Sequence, residues 1–118
     1  MTASIPAKAL QLHSLIRAEG ELEISLVDVE IPEPAADEVL VRIEATPINP
    51  SDLGLLFGAA DLSTATVSGT NEYPVVSARV PEKAMKAMAG RLGQSMPVGN
   101  EGAGVVVKAG SSAAAQHL

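Results

Sequence analysis

The stretch from Glu38 to Gly58, EVLVRIEATPINPSDLGLLFG, constrains the fold more than any other part of the sequence. Its first half alternates apolar with charged residues, which predicts a β-strand with one buried face. Proline lacks the N–H that a β-ladder needs and disfavours a helical residue before it, so we expect the strand to end at Thr46-Pro47. The apolar positions on the expected buried face are Val39, Val41, Ile43 and Ala45.

A short helix is predicted directly after this strand. Asn49 is a favourable N-cap, Pro50 suits the first helical position, and Asp52 adds negative charge to the first turn. Gly58 is able to end the helix in the left-handed conformation. A strand that leads into a capped helix holds polar side chains rigidly at the strand's end, which is a common place for a functional site.

Two earlier segments also have strand character. Alternation predicts one strand over residues 7–15, with Leu10 and Leu12 on one face, and a second over residues 22–31. A turn at residues 17–20 makes the pair a hairpin. Three strand signals with no long helix between them favour an antiparallel barrel or sandwich over a parallel α/β sheet.

The second half of the chain has weaker signals. Residues 59–77 are rich in Ser, Thr, Ala and Gly and are predicted to be loop, whereas residues 81–92 are predicted to form a helix. Residues 59–95 are therefore expected to be an irregular insertion with one helix. The valine run 105–107 predicts a strand that is buried on both faces, and the small polar residues 111–118 predict a final loop.

Composition excludes several classes of protein. The chain of 118 residues has room for one domain, and its net charge of -6 argues against a nucleic-acid surface. No apolar run approaches the roughly 18 residues that a membrane-spanning helix needs, and no signal peptide opens the chain. We therefore expect a cytoplasmic protein. With no cysteine and only two well-separated histidines, a metal site is not supported.

Few polar residues are candidates for chemistry. Asn49 and Asp52 lie on the capped helix, and Asn100 and Glu101 lie directly before the valine strand. Helix capping explains the first pair about as well as a binding role does. A solvent-exposed turn explains the second pair equally well, so both alternatives stay open at this point.

Two blocks of the sequence resemble the N-terminal half of the medium-chain dehydrogenase/reductase superfamily. The first is VRIEATPINPSD at residues 41–52, where the family has a strand, an alanine-rich turn and Asn-Pro-x-Asp. The second is PVGNEGAGVV at residues 97–106, where the family has a Gly-x-Glu-Gly-x-Gly-x-Val strand. The blocks are most similar to the zinc-free, zeta-crystallin-like quinone oxidoreductases of this alcohol dehydrogenase-like superfamily.

This resemblance implies a mainly β catalytic domain, a GroES-like and partly open β-barrel with short helices. In the family a nicotinamide cofactor, usually NADPH, lies between this domain and a Rossmann domain, and a hydride passes to a quinone or an activated alkene. Asn49 matches the family asparagine beside the nicotinamide and the substrate, and Pro50 and Asp52 belong to the same cofactor-side block. The zinc-dependent branch has a cysteine and a histidine where this chain has Asn49 and Asn100, so no catalytic zinc is expected.

The chain departs from the family pattern in two ways. Many quinone reductases have a tyrosine two residues after the motif's aspartate, where this chain has Gly54. Tyr73, the only phenol, is a candidate replacement on the substrate side, and Asn100 is a second substrate-side candidate. In addition, residues 59–95 are longer than the usual connection in the family.

No Rossmann fingerprint is present. The glycines at 99, 102 and 104 precede a strand, whereas a dinucleotide-binding loop follows a strand and opens a helix. We therefore expect residues 1–118 to be a truncated substrate-side domain that is inactive without its Rossmann partner. The alternative is a non-enzymatic β-barrel binding module that forms homo-oligomers through an exposed strand edge.

Overall fold

Residues 5–118 are described by a computed structural model, and this part of the chain is mainly β with short helices. Its strands form two sheets that do not close into a barrel within the described residues. In chain order the elements are β1 (Lys8–Arg17), β2 (Glu21–Glu30), β3 (Val39–Ala45), α1 (Pro50–Phe57), β4 (Asp61–Gly69), β5 (Pro74–Arg79), α2 (Glu82–Met85), a 3-10 turn (Ala89–Arg91), β6 (Met96–Pro97), β7 (Ala103–Ala109) and α3 (Ala113–Gln116).

The larger sheet has the strand order β4-β5-β2-β1-β6, and the smaller one contains β3 and β7. Strand β5 pairs antiparallel with both β2 and β4. The predicted turn between β1 and β2 is confirmed, since Gly20 has φ +92° and its N–H donates to the Arg17 carbonyl at 3.0 Å. Glycine adopts such a φ at no steric cost.

The described chain divides into two compact units. Unit 1 contains the described residues up to Ala9 together with Val29–Pro47 and Asn100–Leu118, and it holds β3, β7 and α3. Unit 2 contains Leu10–Asp28 and Ile48–Gly99, and it holds α1, β4, β5 and α2. The prediction of a single domain over residues 1–118 stays a prediction.

The core of unit 2 is small and aliphatic. Ile16, Leu22 and Val80 are almost fully buried, and Met85 and Met88 pack against them. Burial of a side chain of this size contributes roughly 1.5–3 kcal/mol. Packing therefore accounts for these two methionines.

Strand β1 is buried at a different place from the one predicted. Leu10 and Leu12 are exposed, whereas Ser14 and Ile16, further along the same face, are fully buried. The alternation is real, but only the C-terminal half of the strand lies over the core of unit 2.

The buried faces predicted for β3 and β7 are also wrong. Ile43 exposes 53% of its surface and Val105 exposes 47%. The two strands pair only with each other in the described residues, and a two-stranded sheet has few neighbours to cover its faces. Their existence was predicted correctly from the sequence, but their burial was not.

The loop predicted for residues 59–77 is wrong, because β4 and β5 form a hairpin there. Its turn is closed by a hydrogen bond from the Thr70 N–H to the Tyr73 carbonyl at 3.2 Å. The Thr70 hydroxyl also accepts from the Tyr73 N–H at 3.0 Å. The small Ser, Thr and Ala side chains that indicated a loop are compatible with an exposed edge strand.

The predictions for residues 81–92 and for residues 111–118 need correction as well. Residues 81–92 form α2 and a separate 3-10 turn, since bonds of the i to i−3 type such as Arg91 N–H to the Met88 carbonyl replace the helical ladder. Residues 111–118 are not a loop but contain α3. The Ser112 hydroxyl caps that helix by accepting from the Ala115 N–H at 3.1 Å.

Within residues 5–118, no helix combines the length and the apolar character that crossing a bilayer requires.

Candidate functional site

The start of α1 holds Asn49, Pro50 and Asp52 in a capping arrangement. Asn49 is the N-cap in an extended conformation, and Pro50 occupies the first helical position. The Asp52 Oδ2 atom accepts a hydrogen bond from the Asn49 N–H at 2.8 Å. The Asp52 N–H donates in turn to the Asn49 carbonyl at 2.9 Å. This reciprocal pair fixes the backbone of Asn49. The prediction of Asn49 as the N-cap is confirmed, whereas the pairing with Asp52 was not predicted.

The carboxylate of Asp52 is buried in unit 2, at the first turn of α1. The residue is only 5% exposed, and its Oδ1 atom is buried with no hydrogen-bond partner among the described residues. Negative charge at a helix N-terminus is favoured by the helix dipole. Asp52 therefore acts first as the cap of α1, which is one of the two alternatives that the sequence left open.

The side-chain amide of Asn49 keeps its N–H donors free. Asn49 is half-buried, its side-chain oxygen faces the Asp52 N–H in the capping box, and its amide N–H groups donate to no other residue within 5–118. The Asp52 N–H also donates to the Asn49 backbone carbonyl. An amide offers two N–H donors and one carbonyl acceptor, so Asn49 is able to bind a polar group of a ligand.

A cleft of about 340 Å³ lies in unit 1 where β3 ends and β7 begins. Its walls are Ala45, Thr46 and Pro47 on one side and Glu101, Gly102 and Ala103 on the other. Gly102 packs closely against Ile43, since a Cβ there would lie 3.2 Å from two carbon atoms of the Ile43 side chain. Glu101 was a candidate from the sequence, but no sequence pattern indicated that it would line a cleft.

Asn100 is exposed and precedes this cleft in the chain without lining it. It belongs to unit 1 with Glu101, whereas Asn49, Asp52 and Tyr73 belong to unit 2. Asn49, Pro50 and Asp52 lie together at the start of one helix, as their adjacency in the sequence requires.

Within residues 5–118, no group of three or more His, Cys, Asp or Glu side chains is placed to hold a metal ion.

The phenol of Tyr73 is engaged by a carboxylate. Its hydroxyl donates to the two oxygens of Asp28 at 3.1 and 3.2 Å. The hydrogen bond and the negative charge of Asp28 raise the pKa of Tyr73 above that of a free phenol. A phenol whose proton is held in this way is a weaker acid, which does not favour a proton-donating role.

The polar cluster around Arg91 was not predicted from the sequence. Its guanidinium donates to the Leu55 carbonyl in the last turn of α1 at 2.7 Å and to the Ser14 hydroxyl at 3.3 Å. Ser14 donates to the Leu56 carbonyl at 3.1 Å. Burial lowers the pKa of Arg91. A single arginine that is 77 positions away from Ser14 has no local pattern from which this contact could be predicted.

In comparison with known proteins, no family model matches the chain, and no curated protein matches it significantly. The class that the structure itself defines is therefore a mainly β protein with short helices.

Proposed function

We propose that this chain is the substrate-side domain of an NADPH-dependent, zinc-independent quinone or enone oxidoreductase with a GroES-like fold. One observation carries the proposal furthest. The two sequence blocks that resemble the quinone oxidoreductases, 41–52 and 97–106, are far apart in the chain. Their strands β3 and β7 nevertheless pair directly, with Val41 opposite Val106 and Ile43 opposite Gly104. A family likeness in two separate blocks gains weight when the blocks are neighbours in the fold.

The start of α1 fits a polar ligand such as the carboxamide of NADPH or the oxygen of a carbonyl substrate. Asn49 presents amide N–H groups that have no acceptor among the described residues, on a backbone that Asp52 holds in place. NADPH, when bound, supplies the hydride.

In this proposal Asn49 donates a hydrogen bond to the oxygen on which negative charge develops during reduction. A donor that is fixed before the reaction stabilises this charge at little cost in reorganisation. The role of Asp52 is to position Asn49 rather than to touch the substrate. Pro50, Tyr73 and Asn100 stay predictions.

Substitution of Asn49 tests the proposal most simply. Asn49→Ala, made in the product of the complete reading frame, is expected to lower kcat for NADPH-dependent reduction of a quinone or enone by roughly a hundredfold. Asn71→Ala is the matched control, since Asn71 is an exposed asparagine in the β4–β5 turn. It is expected to keep wild-type turnover. Thermal unfolding of both variants separates catalysis from stability.

Two results would count against different parts of the proposal. If the wild-type protein oxidises neither NADPH nor NADH with any quinone or enone, the function is wrong. If wild-type turnover exists and Asn49→Ala retains it, the function stands and the role of Asn49 is wrong.

A second candidate function is the non-enzymatic β-barrel binding module that forms homo-oligomers. The observation that favours it is the pair of open edges on the β3–β7 sheet, neither of which has a strand partner in the described residues. Concentration-dependent association without NADPH turnover would support this candidate.

A further inference from the structure

A serine, a histidine and a glutamine form a chain of hydrogen bonds in unit 2. The Nδ1 atom of His13 lies 2.8 Å from the Ser95 hydroxyl oxygen, and its Nε2 atom lies 2.8 Å from the side-chain carbonyl oxygen of Gln11. All three residues belong to the same compact unit. No local sequence pattern predicts the contact, because 82 positions separate His13 from Ser95.

The pairing of β1 with β6 brings these side chains to one face of the larger sheet. His13 lies opposite Pro97, and Ser95 enters β6 diagonally from it. Gln11 and His13 alternate with their neighbours on β1, so they share this face. Ser14 points the other way and is fully buried. Gln11 and Ser95 are exposed and His13 is half-buried, so a small molecule is able to reach them.

Gln11 determines which nitrogen of His13 is the base. The carbonyl oxygen of an amide only accepts hydrogen bonds, so the Nε2 atom that faces it carries the proton. The Nδ1 atom of the neutral ring then has a free lone pair, to which the Ser95 hydroxyl donates. A nucleophile, a base within hydrogen-bond distance and a third group that orients the base are the elements of covalent catalysis by serine.

The backbone N–H of Ser95 is also available. It donates to no backbone carbonyl within residues 5–118, whereas the N–H of the neighbouring Gln94 donates to the Arg91 carbonyl at 3.1 Å. In acyl transfer, the N–H of the nucleophilic serine is one of the donors that stabilise the negative oxygen of the tetrahedral intermediate. Ser95 therefore offers a nucleophile and one such donor together.

We propose that Ser95, His13 and Gln11 form a second reactive site, which takes acyl groups from small activated esters. The Ser95 oxygen attacks the ester carbonyl carbon as its proton moves to the His13 Nδ1 atom. The ester C–O bond breaks, the leaving alcohol takes this proton, and the acyl group stays on Ser95. Water then attacks the acyl carbon and gives a proton to His13, which passes it to the Ser95 oxygen as the acid leaves. This activity is independent of hydride transfer.

An alkyl fluorophosphonate tests the nucleophile directly. The Ser95 oxygen displaces fluoride from phosphorus and keeps a stable phosphonyl group, which peptide mass spectrometry locates. We expect Ser95 to be labelled roughly a hundredfold faster than Ser68. Ser68 is the matched control, because it is an exposed serine on β4 of the same unit and makes no hydrogen bond to a histidine within residues 5–118. Equal labelling of the two serines would overturn the proposal.

Substitution of Gln11 separates the chemistry from a structural role. Gln11→Leu removes the acceptor that holds the Nε2 proton and is expected to slow the labelling of Ser95 about tenfold. Gln11→Glu keeps acceptor oxygens and is expected to be labelled at least as fast as the wild type. Gln11 is exposed, so neither change removes a buried side chain. Identical labelling rates in the two variants, when both have a wild-type circular dichroism spectrum, would contradict the proposed arrangement.

Release of p-nitrophenolate from p-nitrophenyl acetate tests acyl transfer itself. We expect an acetyl group on Ser95, and we expect Ser95→Ala and His13→Ala each to lower the rate of release roughly a hundredfold. If Ser95→Ala keeps the wild-type rate and the acetyl group is found on His13, the imidazole is the nucleophile and the proposal is wrong. Because NADPH is absent from the assay, that result leaves the proposed reductase function untouched.

Discussion

At the scale of single residues, the Asp52 side chain determines the backbone position of Asn49 at the candidate site. It accepts from the Asn49 N–H and thereby fixes the residue whose amide is proposed to meet the substrate. The residues of this cap could be predicted from the sequence, since asparagine, proline and aspartate at these spacings have strong local preferences. The contact of Arg91 with the other end of the same helix could not, because it depends on tertiary structure.

Removal of the Arg91 side chain should destabilise the protein. Arg91→Ala deletes a charged donor to the Leu55 carbonyl at the C-terminus of α1, where positive charge is favoured. We expect the free energy of unfolding in urea to fall by about 1–3 kcal/mol. Arg79→Ala is the control, because Arg79 is exposed on β5 and forms no ion pair within residues 5–118. A loss no larger than that of the control would show that Arg91 does not anchor the helix.

The Tyr73–Asp28 pair makes a prediction about alkaline pH. The pKa of the phenol is raised in the folded protein, so the stability from this pair is complete below the pKa of an unfolded tyrosine and is lost as pH rises through the folded value. Tyr73 is the only tyrosine and the chain has no tryptophan, so an ultraviolet titration reports this phenol alone. Its midpoint should lie above that of a free phenol.

Asp28→Asn should lower that midpoint towards the free-phenol value, because the variant removes the negative charge. Asp61→Asn, a change to another exposed acidic residue of unit 2, should leave it unchanged. Identical titrations for all three proteins would exclude the contact.

At the scale of elements, the sequence identified strands better than it identified what covers them. Alternation in β3 and the valine run in β7 predicted both strands, but their exposure follows from the number of neighbouring strands, which periodicity does not report. The β4–β5 hairpin was missed because short hydroxyl and methyl side chains serve loops and exposed strands equally well. The two-part helical region after β5 was missed because the apolar spacing of 81–92 does not distinguish an α-helix from successive tight turns.

Close approach of β3 and β7 depends on Gly104. A Cβ at this position would lie 1.9 Å from the Arg42 carbonyl oxygen, far inside van der Waals contact. Gly104→Ala should therefore force the two strands apart and increase hydrogen exchange at the amides of both. Gly54→Ala is the matched control, because nothing lies within 4 Å of its added Cβ. Since Gly54 lies inside α1, this control should stabilise the protein by roughly 0.5–1 kcal/mol. Unchanged exchange in Gly104→Ala would contradict the β3–β7 pairing.

At the scale of the whole molecule, two compact units each hold one part of the candidate chemistry. Unit 2 presents the Asn49 amide, and unit 1 contains the cleft at Thr46 and Glu101. The two sequence blocks that resemble the family include residues of both units, since the first block continues from β3 into α1 and the second enters β7. The long-range pairing of β3 with β7 is what a sequence alone does not establish.

The most direct measurement of the central claim follows the hydride itself. The product of the complete reading frame is incubated with an enone and with NADPH in which both hydrogens at C4 of the nicotinamide are replaced by deuterium, and the reduced product is analysed by mass spectrometry. We expect deuterium on the reduced carbon, with the yield strongly lowered by Asn49→Ala and not by Asn71→Ala. Reduced product without the label, or no reduction of any enone or quinone, would contradict it.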